Sequence, residues 1–448
     1  MPLVSNLNFK SNDKKTCWLL GLIWASTGGL FAQESSPQLT LIQLLDSAVQ
    51  HNYLLQANEN QTAIKQAEIE ILRTNYLPRI AASANFSYWK WLMPNKAKIL
   101  GNTLTDMYTD ISAYQTLYDW GQTKIQKQSV EDEIQLNAEV RRQIKSTITW
   151  GVTDVYFETL KSKAEIDVHR NTLEQLRSHL QYADNLYKIG KVSNLDVLKI
   201  NVQISVEEKA LQKAQNALNA QLIKLKMLCN LSENASFDIL NTADSLFSQW
   251  KDHWFVTDTL YSNTLLNHPA LAAADRKINI EAKQKQLYSL KNRPELYSFG
   301  VANWEDGRIP YGSHFNYNIG VGIRYTIPYW GGSSYKTKML QSDLRIKQMT
   351  DEKNQTFLDI KKEIETTLND LTDKKDEIAN NEKIKRLAQE TLANAWVKYQ
   401  AGQGTIVDVL DAESILTENT ISQSKSVLAY LQTLAKLNYL IGNDNYPF

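Results

Sequence analysis

The sequence is poor in cysteine and proline, carries no surplus of either charge, and has no long apolar stretch beyond its first residues. Each shortage excludes something. Of the two cysteines, Cys17 lies in the leader described below, so Cys229 stands alone and no intrachain disulfide can staple the fold. Beyond the leader no segment approaches the roughly 18 uncharged apolar residues that a transmembrane helix needs, which leaves a soluble periplasmic protein or an outer-membrane β-barrel. Lys plus Arg and Asp plus Glu both number 49, without a basic run, so nothing suggests a phosphate-tracking surface and nucleic acid is not an expected partner. There is no Gly-x-x-x-x-Gly-Lys loop and no nucleophile elbow. The six histidines (His51, His169, His179, His253, His268, His314) show no ligand spacing, so surface and packing roles are expected for them. Gly331-Gly332-Ser333-Ser334 reads as a strand-to-helix turn with a hydroxyl cap. No cofactor is implied, and no enzyme is expected.

What is present begins with an export signal. Lys10, Lys14 and Lys15 precede an apolar stretch from Cys17 to Phe31, and Ala32-Gln33-Glu34 follows as a cleavage point, so residues 1–32 read as a signal peptide. Its removal takes three lysines and one aspartate and leaves a slightly acidic product. Lys15-Thr16 ahead of Cys17 argue against a lipid-anchoring site.

The chain also repeats at half its length. Tyr187-Lys-Ile-Gly190-Lys-Val-Ser193-Asn-Leu-Asp196-Val-Leu198 returns 212 residues later as Tyr399-Gln-Ala-Gly402-Gln-Gly-Thr405-Ile-Val-Asp408-Val-Leu410. Asp119-Trp120-Gly121 pairs with Tyr329-Trp330-Gly331, and Asn75-Tyr-Leu-Pro78 with Lys291-Asn-Arg-Pro294, in the same order. Ordered markers at nearly constant offset indicate a duplication. The implied division is residues 33–230, a linker at 231–256, and residues 257–448. Each half reads as helix, two strands, long helix, tight turn, helix. Leu39 to Thr74 is one predicted helix, and Gln122 to Tyr187 and Ser333 to Tyr399 run without proline, each on the order of 100 Å at about 1.5 Å per residue. Phe357, Ile364, Leu371 and Ile378 step by seven, with Ile360 and Leu368 in the alternate seam, which is coiled-coil spacing. Leu39 to Thr74 and Val192 to Asn230, stacked end to end, would cover one long helix. Leu231 to Val256 reads as an irregular belt.

Between the helices lie strand candidates. Phe315, Tyr317, Ile319, Val321, Ile323, Tyr325 and Ile327 alternate with Asn316, Asn318, Gly320, Gly322, Arg324 and Thr326, and Ile80 to Trp89 alternate in the same sense. The segments around Tyr108 to Asp119 and Leu296 to Trp304 alternate less cleanly, and Trp91 to Thr105 and Glu305 to Ser313 read as loops. An apolar face with aromatic ends opposite a polar or small one suits lipid outside and water inside. Trp89, Trp91, Trp304 and Trp330 suit membrane girdles. Four strands cannot close a membrane barrel, for which about eight is the minimum, so a barrel requires several chains. A soluble sandwich buried on one face is the competing reading of such strands.

Taken in order, Leu39-Thr40, Leu77-Pro78, Tyr118-Asp119-Trp120-Gly121, both Tyr-x-x-Gly-x-x-[Ser/Thr]-x-x-Asp-Val turns and Gly404-Thr-Ile-Val-Asp408-Val-Leu-Asp411-Ala412 resemble the TolC-type outer-membrane efflux factors, the outer membrane efflux protein family. The resemblance implies an α+β membrane protein. It further implies a homotrimer whose 12-stranded β-barrel, four strands per chain, sits in outer-membrane lipid and continues into a long α-helical coiled-coil barrel in the periplasm of a Gram-negative cell. The implied function is the outer-membrane channel-tunnel of a tripartite efflux pump or type I secretion system. Implied partners are a periplasmic membrane-fusion adaptor protein and an inner-membrane transporter of RND, ABC or MFS type. A periplasmic coiled-coil scaffold or adhesin is the alternative.

The tips of the helical hairpins are the candidate site. Gly190 and Gly402 suit the left-handed residue that ends a helix, and Ser193-x-x-Asp196 and Thr405-x-x-Asp408 match capping boxes. Asp411 shares the face of Asp408 but lies too deep to cap. The resemblance implies that Asp408 and Asp411 ring a periplasmic aperture, that Asp196 and Tyr399 make closed-state interhelical contacts, and that Gly190, Ser193, Gly402 and Thr405 lie at the adaptor-contacting tips. Gly404 stands where the family's pattern has an arginine, and Lys199 where the other repeat has Asp411.

Overall fold

The structure, a computed structural model, describes residues 38–90, 103–232, 234–251, 257–306, 313–325 and 333–443. The leader, Trp91 and the Tyr329-Trp330-Gly331 marker lie outside the described residues. The first half holds β1 (Gln38–Leu39), α1 (Leu41–Gln50), α2 (Tyr53–Arg73), β2 (Arg79–Lys90), β3 (Thr103–Tyr118), α3 (Gln122–Lys188) and α4 (Asn194–Leu228). The belt contributes β4 (Asp238–Ile239) and α5 (Ala243–Trp250). Then follow α6 (Thr257–Asn267), α7 (Pro269–Leu290), β5 (Glu295–Asp306), β6 (His314–Arg324), α8 (Ser333–Gln400) and α9 (Ile406–Leu440).

Two expectations are corrected. The helix predicted over Leu39 to Thr74 is broken at His51 and Asn52, because the Asn52 side chain turns back to accept from the backbone amides of Leu54 and Leu55 and starts a new helix. The belt is not irregular: its β4 pairs in parallel with β1, and α5 follows. Tyr156 of α3 donates to the Leu240 carbonyl at 2.5 Å, and Lys163 meets Asp238 at 2.6 Å, so the belt is fastened to the long helix by named bonds.

The long helices α3 and α8 have 67 and 68 residues, each about 100 Å of rise. In the first half α1, α2 and α4 all pack on α3. Ser47 donates to the Cys229 carbonyl at 3.1 Å and Asn230 to the His51 carbonyl at 3.3 Å, so the short helices meet end to end. The second half does the same with α7 and α9 on α8. There Gly442, with φ +69°, lies so close to His268 that an added Cβ would stand 2.9 Å from the His268 Cα, so only glycine fits. Ile364, Leu371 and Ile378 are buried in the seam of α8, and Ile360 and Leu368 flank them. The largest apolar cluster gathers α1, the middle of α3 and α8, the belt and the end of α9.

The four long strands form one antiparallel sheet in the order β2-β3-β5-β6. Its register sets two faces. Ile80, Phe86, Ile111, Trp304, Tyr317, Ile319, Val321 and Ile323 share one face and are exposed, Ile319 at 80 %. The other carries Ser83, Asp110, Asn303, Asn316 and Asn318, and at the helix end Tyr114, Tyr297 and Arg324. The middle strands alternate less cleanly because their apolar-face positions include Thr109 and Ser298, while Tyr297 and Phe299 sit on the polar face. Strands β2 and β6 each have an unpaired edge within the chain. Among the described residues no helix is long and apolar enough to cross a membrane.

Candidate functional site

At the end of α3 and α8 remote from the sheet, both helices stop by the same device. Gly190 and Gly402 each take φ +72°, and their amides donate to the carbonyls of Tyr187 and Tyr399. The next residues, Lys191 and Gln403, donate to Leu186 and Lys398 at 2.9 and 2.8 Å, so the last carbonyls of each helix are satisfied. The two turns then differ. Thr405 and Asp408 form the expected capping box, the Asp408 carboxylate accepting from the Thr405 amide at 2.9 Å and from its hydroxyl at 2.8 Å. Ser193 makes no side-chain cap bond, and the Asp196 amide donates instead to the Ser193 carbonyl at 3.1 Å. The capping box predicted at Ser193 is therefore not formed.

These bonds hold the Asp408 carboxyl below the usual carboxylate range, with the Thr405 amide the foremost cause and its hydroxyl the next. Asp408 and Asp411 are both exposed, while Ile406, Val409 and Ala412 of the same helix are buried. Tyr399 is buried with its hydroxyl unpartnered; burial raises its pKa, and the nearby charge of Asp196 raises it further. Within the chain Asp196 acts on Tyr399 through its charge, and the Tyr399 hydroxyl makes no hydrogen bond. At Gly404 an added Cβ would stand 3.1 Å from the Lys398 Cβ, so the turn is packed tightly against the end of α8 where the family's pattern has an arginine.

The two hairpins join in one cluster of Leu173, Leu176, Ala183, Ile200, Ile204, Tyr399, Ile406 and Val409. Around it Trp396 lies 4.0 Å from the His179 ring and 5.3 Å from the Tyr182 ring, centroid to centroid. Polar layers follow along the bundle: His179 Nε2 lies 3.6 Å from buried Glu413, Thr172 bonds Thr417 at 2.9 Å, and His169 Nδ1 bonds buried Glu207 at 2.6 Å. Sequence reasoning passed over these pairs. A signal existed: Ile406, Val409, Glu413 and Thr417 recur every three or four residues, which puts a carboxylate in an apolar seam.

The architecture is thus a sheet with an apolar, exposed face, continued by paired helices of about 100 Å that end in two packed turns. Residues 44–231 match the model of the outer membrane efflux protein family. No curated protein matches the sequence. Solved structures do resemble it. CusC, whose structures follow conformational changes accompanying folding and transmembrane channel formation, aligns with a TM-score of 0.75 at 16% identity over 90% of this chain and 91% of that one. The Campylobacter jejuni outer membrane channel CmeC aligns at 0.72 and 15% identity over 95% and 94%. The open state of the Neisseria gonorrhoeae outer membrane channel MtrE aligns at 0.69 and 16% identity over 90% and 88%. Such low identities show the fold. Residues 44–231 thus carry an outer membrane efflux protein domain, and the chain as a whole has the fold of these outer-membrane channels.

Proposed function

We propose that three copies of this chain close into one passive exit duct that performs no catalysis of its own. The observation that carries this is the open sheet, with four strands, two unpaired edges and one exposed apolar face. Unpaired edges and exposed aliphatic side chains are both costly in water, and both are satisfied when β6 of one copy pairs with β2 of the next in lipid. Three copies give twelve strands, above the minimum of about eight.

In the closed trimer the tips converge. Asp408 and Asp411, exposed together on α9, then ring a periplasmic aperture that attracts cations. Asp196 and Tyr399 sit at the contact between hairpins, and the unpartnered Tyr399 hydroxyl has a bond to make there. The turns at Gly190, Ser193, Gly402 and Thr405 form the outermost surface, where a membrane-fusion adaptor protein docks and couples the duct to an inner-membrane transporter. The test is the oligomeric state of the exported chain in detergent. Trimers that dissociate on heating support the proposal; a monomer that stays soluble without detergent refutes it.

A further inference from the structure

A cavity of about 450 Å³ opens where the sheet meets the long helices, on the sheet's polar face. Strand register explains what lines it. Arg79 starts β2 opposite Tyr114, Arg324 ends β6 opposite Glu295, and Lys291 and Arg293 form the turn before β5. Four cationic groups thus face two carboxylates, and both carboxylates are engaged. Asp119 accepts from the Gly121 and Thr123 amides and the Tyr76 hydroxyl. Glu295 accepts from the Thr116 hydroxyl at 2.8 Å and meets Arg324 at 3.8 Å. Arg79 bonds the neutral Asn75 at 3.1 Å, and the Arg293 guanidinium lies 5.6 Å from the Trp120 ring centre.

Beside these cations the Tyr114 ring lines the cavity, with Tyr297 stacked behind it. Gly322 leaves space for the Tyr297 ring to lie across it, since a Cβ there would stand 2.7 Å from the Tyr297 Cζ. Tyr297 stacks on Tyr114 at 4.8 Å, the Arg324 guanidinium sits 4.8 and 4.9 Å from the two ring centres, and the buried Tyr114 hydroxyl has no partner. Incompletely neutralised cations gathered around one cavity concentrate anions. Guanidinium forks suit carboxylates, and ring faces suit planar bodies.

We infer that this cavity is a transit site for aromatic carboxylates. The inference rests on the proposed duct, in which three copies of the cavity ring the lumen at the foot of the barrel. The duct then carries an acidic ring at its tips and, near the foot of its barrel, three cavities that hold anions at the wall.

The full-length trimer in detergent, titrated at low salt with benzene-1,3,5-tricarboxylate in a calorimeter, tests this directly. Binding is expected, several-fold tighter than for citrate, and it weakens roughly tenfold in the Arg79→Gln/Lys291→Gln double variant. Arg324→Lys keeps the charge but loses the fork, so it weakens binding while leaving the heat-modifiable trimer intact. Equal affinity in the wild-type chain and the double variant, or no binding by a wild-type chain that conducts, overturns the inference. Citrate binding as tightly as the aromatic probe overturns its aromatic part. A wild-type chain that neither trimerises nor conducts contradicts the duct itself, a result read apart from the calorimetry.

Discussion

Two threonine and serine residues at equivalent places in the repeat do different things, and the difference is measurable. Thr405→Ala removes a hydroxyl that caps α9, at a cost of about 1 kcal/mol, or roughly fivefold faster amide exchange in the first turn. Ser193→Ala removes a hydroxyl with no cap bond, and exchange in the first turn of α4 stays unchanged. Hydrogen exchange at the two turns checks both. The aspartates call for a different readout, because their carboxylates face solvent and their effect is on ions. Alanine at Asp408 and Asp411 together is expected to lower the cation preference of the reconstituted channel roughly two- to fivefold and to relieve divalent-ion block; an unchanged reversal potential would remove both from the aperture. At this scale the sequence was legible where one residue type satisfies one backbone requirement, as at Gly190, Gly402 and Thr405. It was opaque where partners come from separate helices. Nothing local pairs His169 with Glu207 or His179 with Glu413, and Ser193 matches the capping pattern without using it.

Elements were legible in proportion to their periodicity. The heptad in α8 and the alternation in β2 and β6 repeat enough to be read directly, and the structure buries or exposes those residues as the periods require. The break after α1 was not legible, because Asn52 ends one helix and caps another without proline or glycine to mark it. The β1–β4 ladder was hidden because two residues carry no period and their partners lie far apart in the chain. The cap of α7 carries a prediction of its own. His268 Nδ1 accepts from the Ala270 amide, and burial, helped by the positive charge of Arg142, lowers its pKa to about 4. A depressed histidine pKa means that the unfolded chain takes up the proton first. The stability contributed is therefore complete above the unfolded value of 6.5 and is lost as pH falls toward 4, by about 3 kcal/mol at most. Thermal unfolding at pH 7 and 4.5 should show that loss, and His268→Asn, which keeps an acceptor but does not titrate, should show less of it.

At the scale of the whole molecule, the proposed duct takes its helices, belt and sheet from each chain and its closure from the other copies. The chain's long helices are covered along their length by shorter ones meeting end to end, its belt is bonded to α3, and its core lies at mid-length. Its sheet and its tips are the surfaces left incomplete, one with unpaired edges and an apolar face, the other with exposed acids. The duplication that made this arrangement legible also sets its limit, since a repeat predicts two like halves and says nothing of how many chains assemble. The most direct measurement is single-channel current through a planar bilayer on adding the detergent-purified, unmodified chain. Discrete, uniform conductance steps that favour cations are the predicted result; a chain that enters the bilayer without conducting, or never enters it, would contradict the account.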